Sequence, residues 1–204
     1  MAIYHLSMTP MSRSSGRSSV AAAAYRSGEC IENERDGVVH DFTRRSGVEH
    51  SEIVLPEGAN AEWANDRSAL WNAAEAIEKR KDAQLCREVE FAIPREMNQQ
   101  QGIALARDFV QREFVDQGMI ADLNVHWDVG ADGLMKPHAH VMLTMRSVDG
   151  CGFGQKFRDW NRTERLERWR EHWASHVNER LAELDIDARI DHHSFEAQGI
   201  DLEP

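Results

Sequence analysis

The sequence predicts an α+β fold, a mainly antiparallel central β-sheet flanked by helices, in one domain over residues 1–204. Three observations predict it. Segments with period-two alternation of apolar and polar residues occur before, between and after segments with helical spacing. Two of the alternating segments, 123–128 and 137–143, flank Val129-Gly130-Ala131-Asp132-Gly133, whose turn chemistry suits an antiparallel hairpin. The 204 residues, 41% of them hydrophobic, suffice for one core, and no repeat, low-complexity tract or linker divides them.

Residues 2–7 alternate as a first strand with Tyr4 inside it, and Ser12-Arg13-Ser14-Ser15-Gly16-Arg17-Ser18 is a polar loop. Ser18 or Ser19 caps a helix over about 19–27, whose run of four alanines permits close packing. A polar connector with Gly37 and Gly47 leads to a short strand at 51–55. Pro56-Glu57-Gly58 then turns into a helix over about 61–81, with Trp63, Leu70, Trp71 and Ile77 at helical spacing as core. Residues 85–93 form a strand ended by Pro94, and Asn98 begins a helix through 117 with Ile103, Leu105, Phe109, Val110 and Phe114 on one side. The hairpin follows, and beyond the glycines of 150–154 a charged helix spans about 162–184. Leu166, Trp169 and Trp173 give that helix its apolar side, and its charges form a solvated face. The abrupt stop at Pro204 reads as a cut from a longer protein, of which 1–204 is the N-terminal part.

Composition narrows the function. A formal net charge of −11 argues against a protein that coats nucleic acid indiscriminately. Charge is unevenly placed, however: apart from His5, residues 1–28 carry only Arg13, Arg17 and Arg26, a small patch able to face phosphate. Cys30, Cys86 and Cys151 are dispersed without C-x-x-C spacing, so neither a disulfide framework nor a cysteine zinc site is expected, and the compartment is reducing. No apolar leader follows Met1 and no run is long enough to cross a bilayer, so a cytoplasmic chain without membrane insertion is expected.

The sharpest chemical feature is Pro137-His138-Ala139-His140. Side chains two apart on a strand share a face, so His138 and His140 point together, and His126 on the partner strand can sit opposite them. Three imidazoles on a sheet surface leave positions open on a divalent ion, as a catalytic metal site does. A lone histidine on a half-buried strand is usually just hydrogen-bonded; the third histidine across a short turn is what raises the pair above that reading. Of the two tyrosines, Tyr25 ends the alanine-rich helix beside Arg26, either as a packing residue or as a phenol able to meet a phosphate.

Six segments in register then carry a resemblance. They are Ala2-Ile3-Tyr4-His5-Leu6-Ser7, Ser12-Arg13-Ser14-x-Gly16-Arg17-Ser18, Ala-Ala-Tyr25-Arg26, Glu88-Val89-Glu90-Phe91-Ala92-Ile93-Pro94, His126 with Pro137-His138-x-His140, and Ala188-Arg189-Ile190-Asp191-His192-His193-Ser194-x-Glu196-x-Gln198-Gly199. Together they resemble the MobA/MobL (MobQ-type) conjugative relaxases of the HUH endonuclease superfamily, over essentially the whole chain. The resemblance implies the HUH relaxase fold and a site- and strand-specific nick in single-stranded origin-of-transfer DNA. Tyr25 would be the nucleophile, leaving a 5′-phosphotyrosyl protein and a free 3′-hydroxyl, with His126, His138 and His140 holding Mg²⁺ or Mn²⁺. It places Glu88 and Glu90 beside the site, where one carboxylate orients a histidine or accepts the phenolic proton. His5 is expected to pack or hydrogen-bond, and His192 and His193 to serve structure or the DNA backbone. The DNA footprint falls to Arg13, Arg17, Arg26 and Lys136, with Arg44, Arg45 and Arg146. Relaxosome accessory proteins, a coupling protein and a type IV secretion system are the implied partners, and transfer to the recipient with the DNA the implied fate. Competing readings are a rolling-circle replication or transposition nuclease, a non-catalytic single-strand-binding module, and a metal-dependent hydrolase that activates water and does not need Tyr25.

Overall fold

The computed structural model describes residues 4–193. Five strands, β1 (Leu6–Ser12), β4 (Val48–Val54), β5 (Gln84–Ala92), β6 (Ala121–Val129) and β7 (Met135–Thr144), form one sheet in the order β1-β5-β7-β6-β4. Every neighbouring pair is antiparallel. The expected α+β class and antiparallel sheet are therefore what the chain adopts, with the 123–128 and 137–143 segments as the central hairpin.

Alternation decides what each face carries. Val89, Phe91, Leu123, Val125, Ala139, Val141 and Leu143 join a core built with helices α3 (Gln99–Glu113) and α4 (Thr163–Glu183). Phe109, Phe114, Trp169 and Trp173 fill its centre as edge-to-face and tilted pairs. The intervening residues Glu88, Glu90, Asp122, Asn124, His126, His138 and His140 face the other way, toward α1 (Ser19–Ser27) and α2 (Arg67–Ile77). A second, smaller core there joins Val20, Ala22, Ala23 and Ala24 of α1 to Leu70, Trp71 and Ala74 of α2 and to Met11, Cys86 and Met142 of the sheet. β6 is thus buried on both faces, one apolar and one polar. The polar face is satisfied: Asp122 accepts from Arg67 at 2.9 Å and from Trp71 Nε1 at 2.8 Å, and Asn124 accepts from Ser51 at 2.6 Å.

Several elements differ from the sequence expectation. The first strand starts later and runs to Ser12, so Tyr4 precedes it. β1 lies at the sheet edge, where Pro10 is tolerated although it reads as a strand-breaker. The connector before β4 contains a hairpin, β2 (Cys30–Asn33) with β3 (Val38–Asp41), whose short and charged strands give no alternation to read. The 61–81 helix is divided: Glu62–Asn65 makes one tight turn, and Asp66 restarts the chain as an N-cap by accepting from the Ala69 N–H at 2.8 Å. Its charged end, 78–81, is left outside α2. A second small hairpin, β8 (Arg146–Asp149) with β9 (Gly152–Lys156), occupies the glycine-rich stretch. α3 opens on a capping box between Asn98 and Gln101 and stops at Glu113, short of the expected 117. Among the described residues no helix is long and apolar enough to cross a membrane. Ala2 and Ile3 of the opening motif and Ser194, Glu196, Gln198 and Gly199 of the terminal motif lie outside the described residues.

Candidate active site

The hairpin register puts His126 directly opposite His138, with His140 one pleat further on the same face. The three ring centroids lie 5.0–5.2 Å apart, and one ring nitrogen from each lies within 4.8 Å of the others. Each ring also has a nitrogen facing outward to an acceptor. His126 Nε2 donates to the Arg26 carbonyl at 2.7 Å, His138 Nδ1 to the Lys136 carbonyl at 2.8 Å, and His140 Nδ1 to Glu88 Oε1 at 3.2 Å. Carbonyls and carboxylates only accept, so these nitrogens carry the protons and the tautomers follow from the partners. Nδ1 of His126 and Nε2 of His138 and His140 then bear the lone pairs. That is a donor set fit for a divalent ion, with each ring braced from behind.

His126 is fully buried, and burial pushes its imidazole down to about 4, with the Arg26 carbonyl opposing and its histidine neighbours reinforcing the shift. It is neutral at physiological pH, as a ligand must be. The unfolded imidazole titrates near 6.5, so between about 4 and 6.5 the unfolded chain binds the extra proton and stability rises with pH. This contribution is complete above 6.5 and is lost as pH falls toward 4, by about 3 kcal/mol in full. Thermal melts in EDTA from pH 7 to 4.5 should show a steeper loss for the parent than for His126→Gln; parallel curves would refute the assignment.

Glu88 and Glu90 share the face of β5 that meets His140, as two-residue spacing predicts, but they are not equivalent. Burial raises the Glu88 pKa, yet the His140 hydrogen bond and the Arg26 charge outweigh it and take the carboxyl down to about 2. Arg26 bonds it from α1, and Arg17 Nη2 stands 3.7 Å from its other oxygen. Glu90 lies directly opposite His140 in register, with its carboxylate 3.8 Å from Nδ1 and 42% of its side chain exposed.

Tyr25 closes the arrangement from α1. Ser18 caps that helix by accepting from Ala21, and Gly28 ends it in the left-handed conformation, φ +71°. The last turn therefore delivers the Arg26 carbonyl to His126 and leaves the Tyr25 ring 45% exposed. Phe42 meets that ring edge-on at 5.1 Å, and the Arg45 guanidinium lies over it at 3.9 Å while donating from Nη2 to His126 Nδ1 at 3.1 Å. Tyr4 is elsewhere: it packs with the α3/α4 core, exchanges hydrogen bonds with Arg170, and has its phenol pKa raised by burial.

The basic residues divide. Arg13 is turned inward, donating to Glu75 at 2.8 Å and to the carbonyls of Glu78 and Arg80, and Arg26 is taken up by Glu88. Arg146 is held by Glu78 at 2.8 Å. Arg17 and Lys136 have 45% and 55% of their side chains exposed. Lys136 lines a cleft of about 430 Å³ beside His138, together with His5, Glu90, Arg95 and Met135. The placement of Arg45 and Phe42 about Tyr25 had no sequence signal, because both come from the irregular stretch between β3 and β4. His192 and His193 form a separate exposed cluster with Asp191.

A family model described as the MobA/MobL family matches residues 17–204. Among curated proteins, the chain is 37% identical to the conjugal transfer protein TraA of Agrobacterium fabrum, over 100% of this chain and 21% of that protein. It is 38% identical to the mobilization protein MobL of Acidithiobacillus ferridurans, over 100% of this chain and 61% of that one. The chain thus spans about a fifth of the length of the TraA relatives it matches, 21% in each. A solved structure from work on the molecular basis of vancomycin resistance transfer in Staphylococcus aureus is 30% identical, with a TM-score of 0.86 over 95% of this chain and 100% of its own. The metal-bound conjugative relaxase TrwC in complex with oriT DNA is 13% identical, with a TM-score of 0.58 over 92% of this chain and 73% of its own, a likeness of fold.

Proposed function

The chain belongs to the MobA/MobL family, and from that premise we propose that residues 1–204 are a single relaxase domain that nicks one strand of origin-of-transfer DNA through Tyr25. The observation that carries the reading is the convergence of three tautomer-fixed imidazoles with an exposed phenol at the end of α1. The Tyr25 hydroxyl oxygen attacks the scissile phosphorus; the phosphorus–tyrosine bond forms as the bond to the 3′-oxygen breaks, and the proton lost by the phenol is balanced by the one gained by the leaving oxygen. One phosphodiester replaces another, so religation needs no ATP. A divalent ion, Mg²⁺ or Mn²⁺, held by His126, His138 and His140 supplies Lewis acidity at the non-bridging oxygens when bound. Glu88 orients His140 and strengthens its free nitrogen as a donor. A carboxyl held near 2 is a poor base at neutral pH, so the phenolic proton does not go to Glu88.

Incubation with origin DNA and Mn²⁺, followed by denaturing electrophoresis, tests the proposal. A protein band carrying covalent DNA is expected. Cleavage without an adduct would favour activated water, and binding without cleavage a single-strand-binding module. On the same reading the protein leaves the cytoplasm attached to the strand, handed on by accessory and coupling proteins to a type IV secretion system.

Because their side chains are exposed, we take Arg17 and Lys136 as the chief phosphate contacts, with Arg13 and Arg26 bracing the loop and Glu88. Single-strand binding should weaken with salt at a slope of about 0.7 per phosphate contact in log-log form. Arg17→Ala should lower the slope by about that amount, whereas Arg13→Ala should keep the slope and lower the melting temperature, because Glu75 loses a buried partner. A slope unmoved by Arg17→Ala would put the strand elsewhere.

A further inference from the structure

Arg45 occupies a place that metal binding requires. The Nε2 of His126 is committed to the Arg26 carbonyl, so Nδ1 is the atom of that ring with a lone pair to give, and the Arg45 Nη2 donates to it at 3.1 Å. An arginine N–H and a metal ion cannot share one lone pair. The seat of Arg45 is nevertheless incomplete: its Nε is buried and has no acceptor among the described residues. The same group lies over the Tyr25 ring at 3.9 Å, so one side chain touches both the candidate ligand and the candidate nucleophile.

We propose that Arg45 is a tethered cation that closes the third ligand position of the histidine cluster in the metal-free protein, and that a divalent ion binds by displacing it from His126, which also releases its hold on Tyr25. The proposal rests on the histidine cluster being a metal site. Metal loading and the setting of the nucleophile become one event: a protein without its ion keeps Tyr25 under Arg45. Arg45 is in this sense a positioning residue.

Calorimetry of Mn²⁺ binding in the absence of DNA tests it. Arg45→Met keeps an unbranched side chain over the Tyr25 ring and removes the donor and the charge, so Mn²⁺ should bind about tenfold more tightly than to the parent. Removing any nearby cation would also help a cation bind, but that effect is screened at high salt, where the Debye length falls from about 10 Å at 0.1 M to about 3 Å at 1 M. A gain that persists at 1 M KCl supports displacement from Nδ1; a gain that vanishes reduces Arg45 to a distant charge and overturns the proposal. Long-range ¹H–¹⁵N spectra of the metal-free proteins give a second reading: the His126 Nδ1 resonance should move in Arg45→Met and in Arg45→Gln, and an unmoved resonance overturns the contact. Equal Mn²⁺ affinity in parent and variants overturns the gate and leaves the metal site standing, whereas no binding by any of them overturns both.

Discussion

Tyr25→Phe should leave no covalent protein–DNA adduct and no detectable nicking, while single-strand affinity stays within about twofold of the parent. Loss of the nucleophile from a covalent mechanism costs on the order of 10⁶-fold, which exceeds what an adduct assay can follow. The change should otherwise be benign. The Tyr25 ring keeps its edge contact with Phe42 and its place beneath Arg45, and the hydroxyl belongs to a side chain that is 45% exposed, so its removal orphans no buried group. Tyr4→Phe is the internal control. It breaks the hydrogen bonds to Arg170 on the opposite side of the sheet and should cost about 1 kcal/mol of stability with no change in adduct yield. An adduct that survives in Tyr25→Phe would transfer the role or end it.

The fold was legible where one periodicity ran for several residues. The central hairpin, β5, α1, α3 and α4 all announce themselves, because each must bury one face against the sheet or its covering helices and the apolar residues record that face. The two small hairpins and the split before α2 were not legible. Their strands are only four or five residues long, and apart from Ile31 and Asn33 of β2 none of their residues is buried, so the pattern is too short to read. The candidate site shows the same division. His126, His138 and His140 were readable as a cluster because strand parity pairs the last two and the short turn of the hairpin brings the first opposite them. The inward turn of Arg13 and Arg26 was not, because it depends on Glu75 and Glu88 arriving from other elements, and sequence shows a basic residue without its partner.

Parity also explains how one sheet supports both a core and a site. Val89 and Phe91 of β5, Ala121, Leu123 and Val125 of β6, and Ala139, Val141 and Leu143 of β7 are committed to the α3/α4 core, which anchors the strands firmly enough for the intervening Glu88, Asn124, His126, His138 and His140 to be held in register. A one-residue slip in β7 would exchange the two sets and bury His138 and His140 among phenylalanines, so the register is fixed by the hydrophobic face and the site inherits its geometry. α1 is tied to that face at its end through two groups of one residue: the Arg26 carbonyl braces His126, and the Arg26 guanidinium braces Glu88, which in turn braces His140. The helix that presents Tyr25 is thus tied directly to the strands that present the histidines.

That linkage makes Glu88 the carboxylate whose loss should matter and Glu90 the one whose loss should not. Glu88→Gln keeps the shape, but it removes the charge that draws the proton of His140 Nδ1 and leaves the buried Arg26 without its counter-ion. Groups that brace a metal-bound histidine are typically worth 10–100-fold in metal affinity, so Mn²⁺ should bind within that range more weakly, and nicking at saturating Mn²⁺ should slow by roughly 10²-fold. Glu90 stands 3.8 Å from the same nitrogen but is substantially solvated, where water screens the charge, so Glu90→Gln should bind and nick within about twofold of the parent. The measurement is Mn²⁺ affinity and nicking rate for both variants at a temperature where each is folded by circular dichroism, so that lost stability is not mistaken for lost function. A Glu88→Gln protein that binds Mn²⁺ as tightly as the parent would mean the Arg26–Glu88–His140 chain supports only the fold, and a larger effect in Glu90→Gln would reverse the assignment of the two carboxylates.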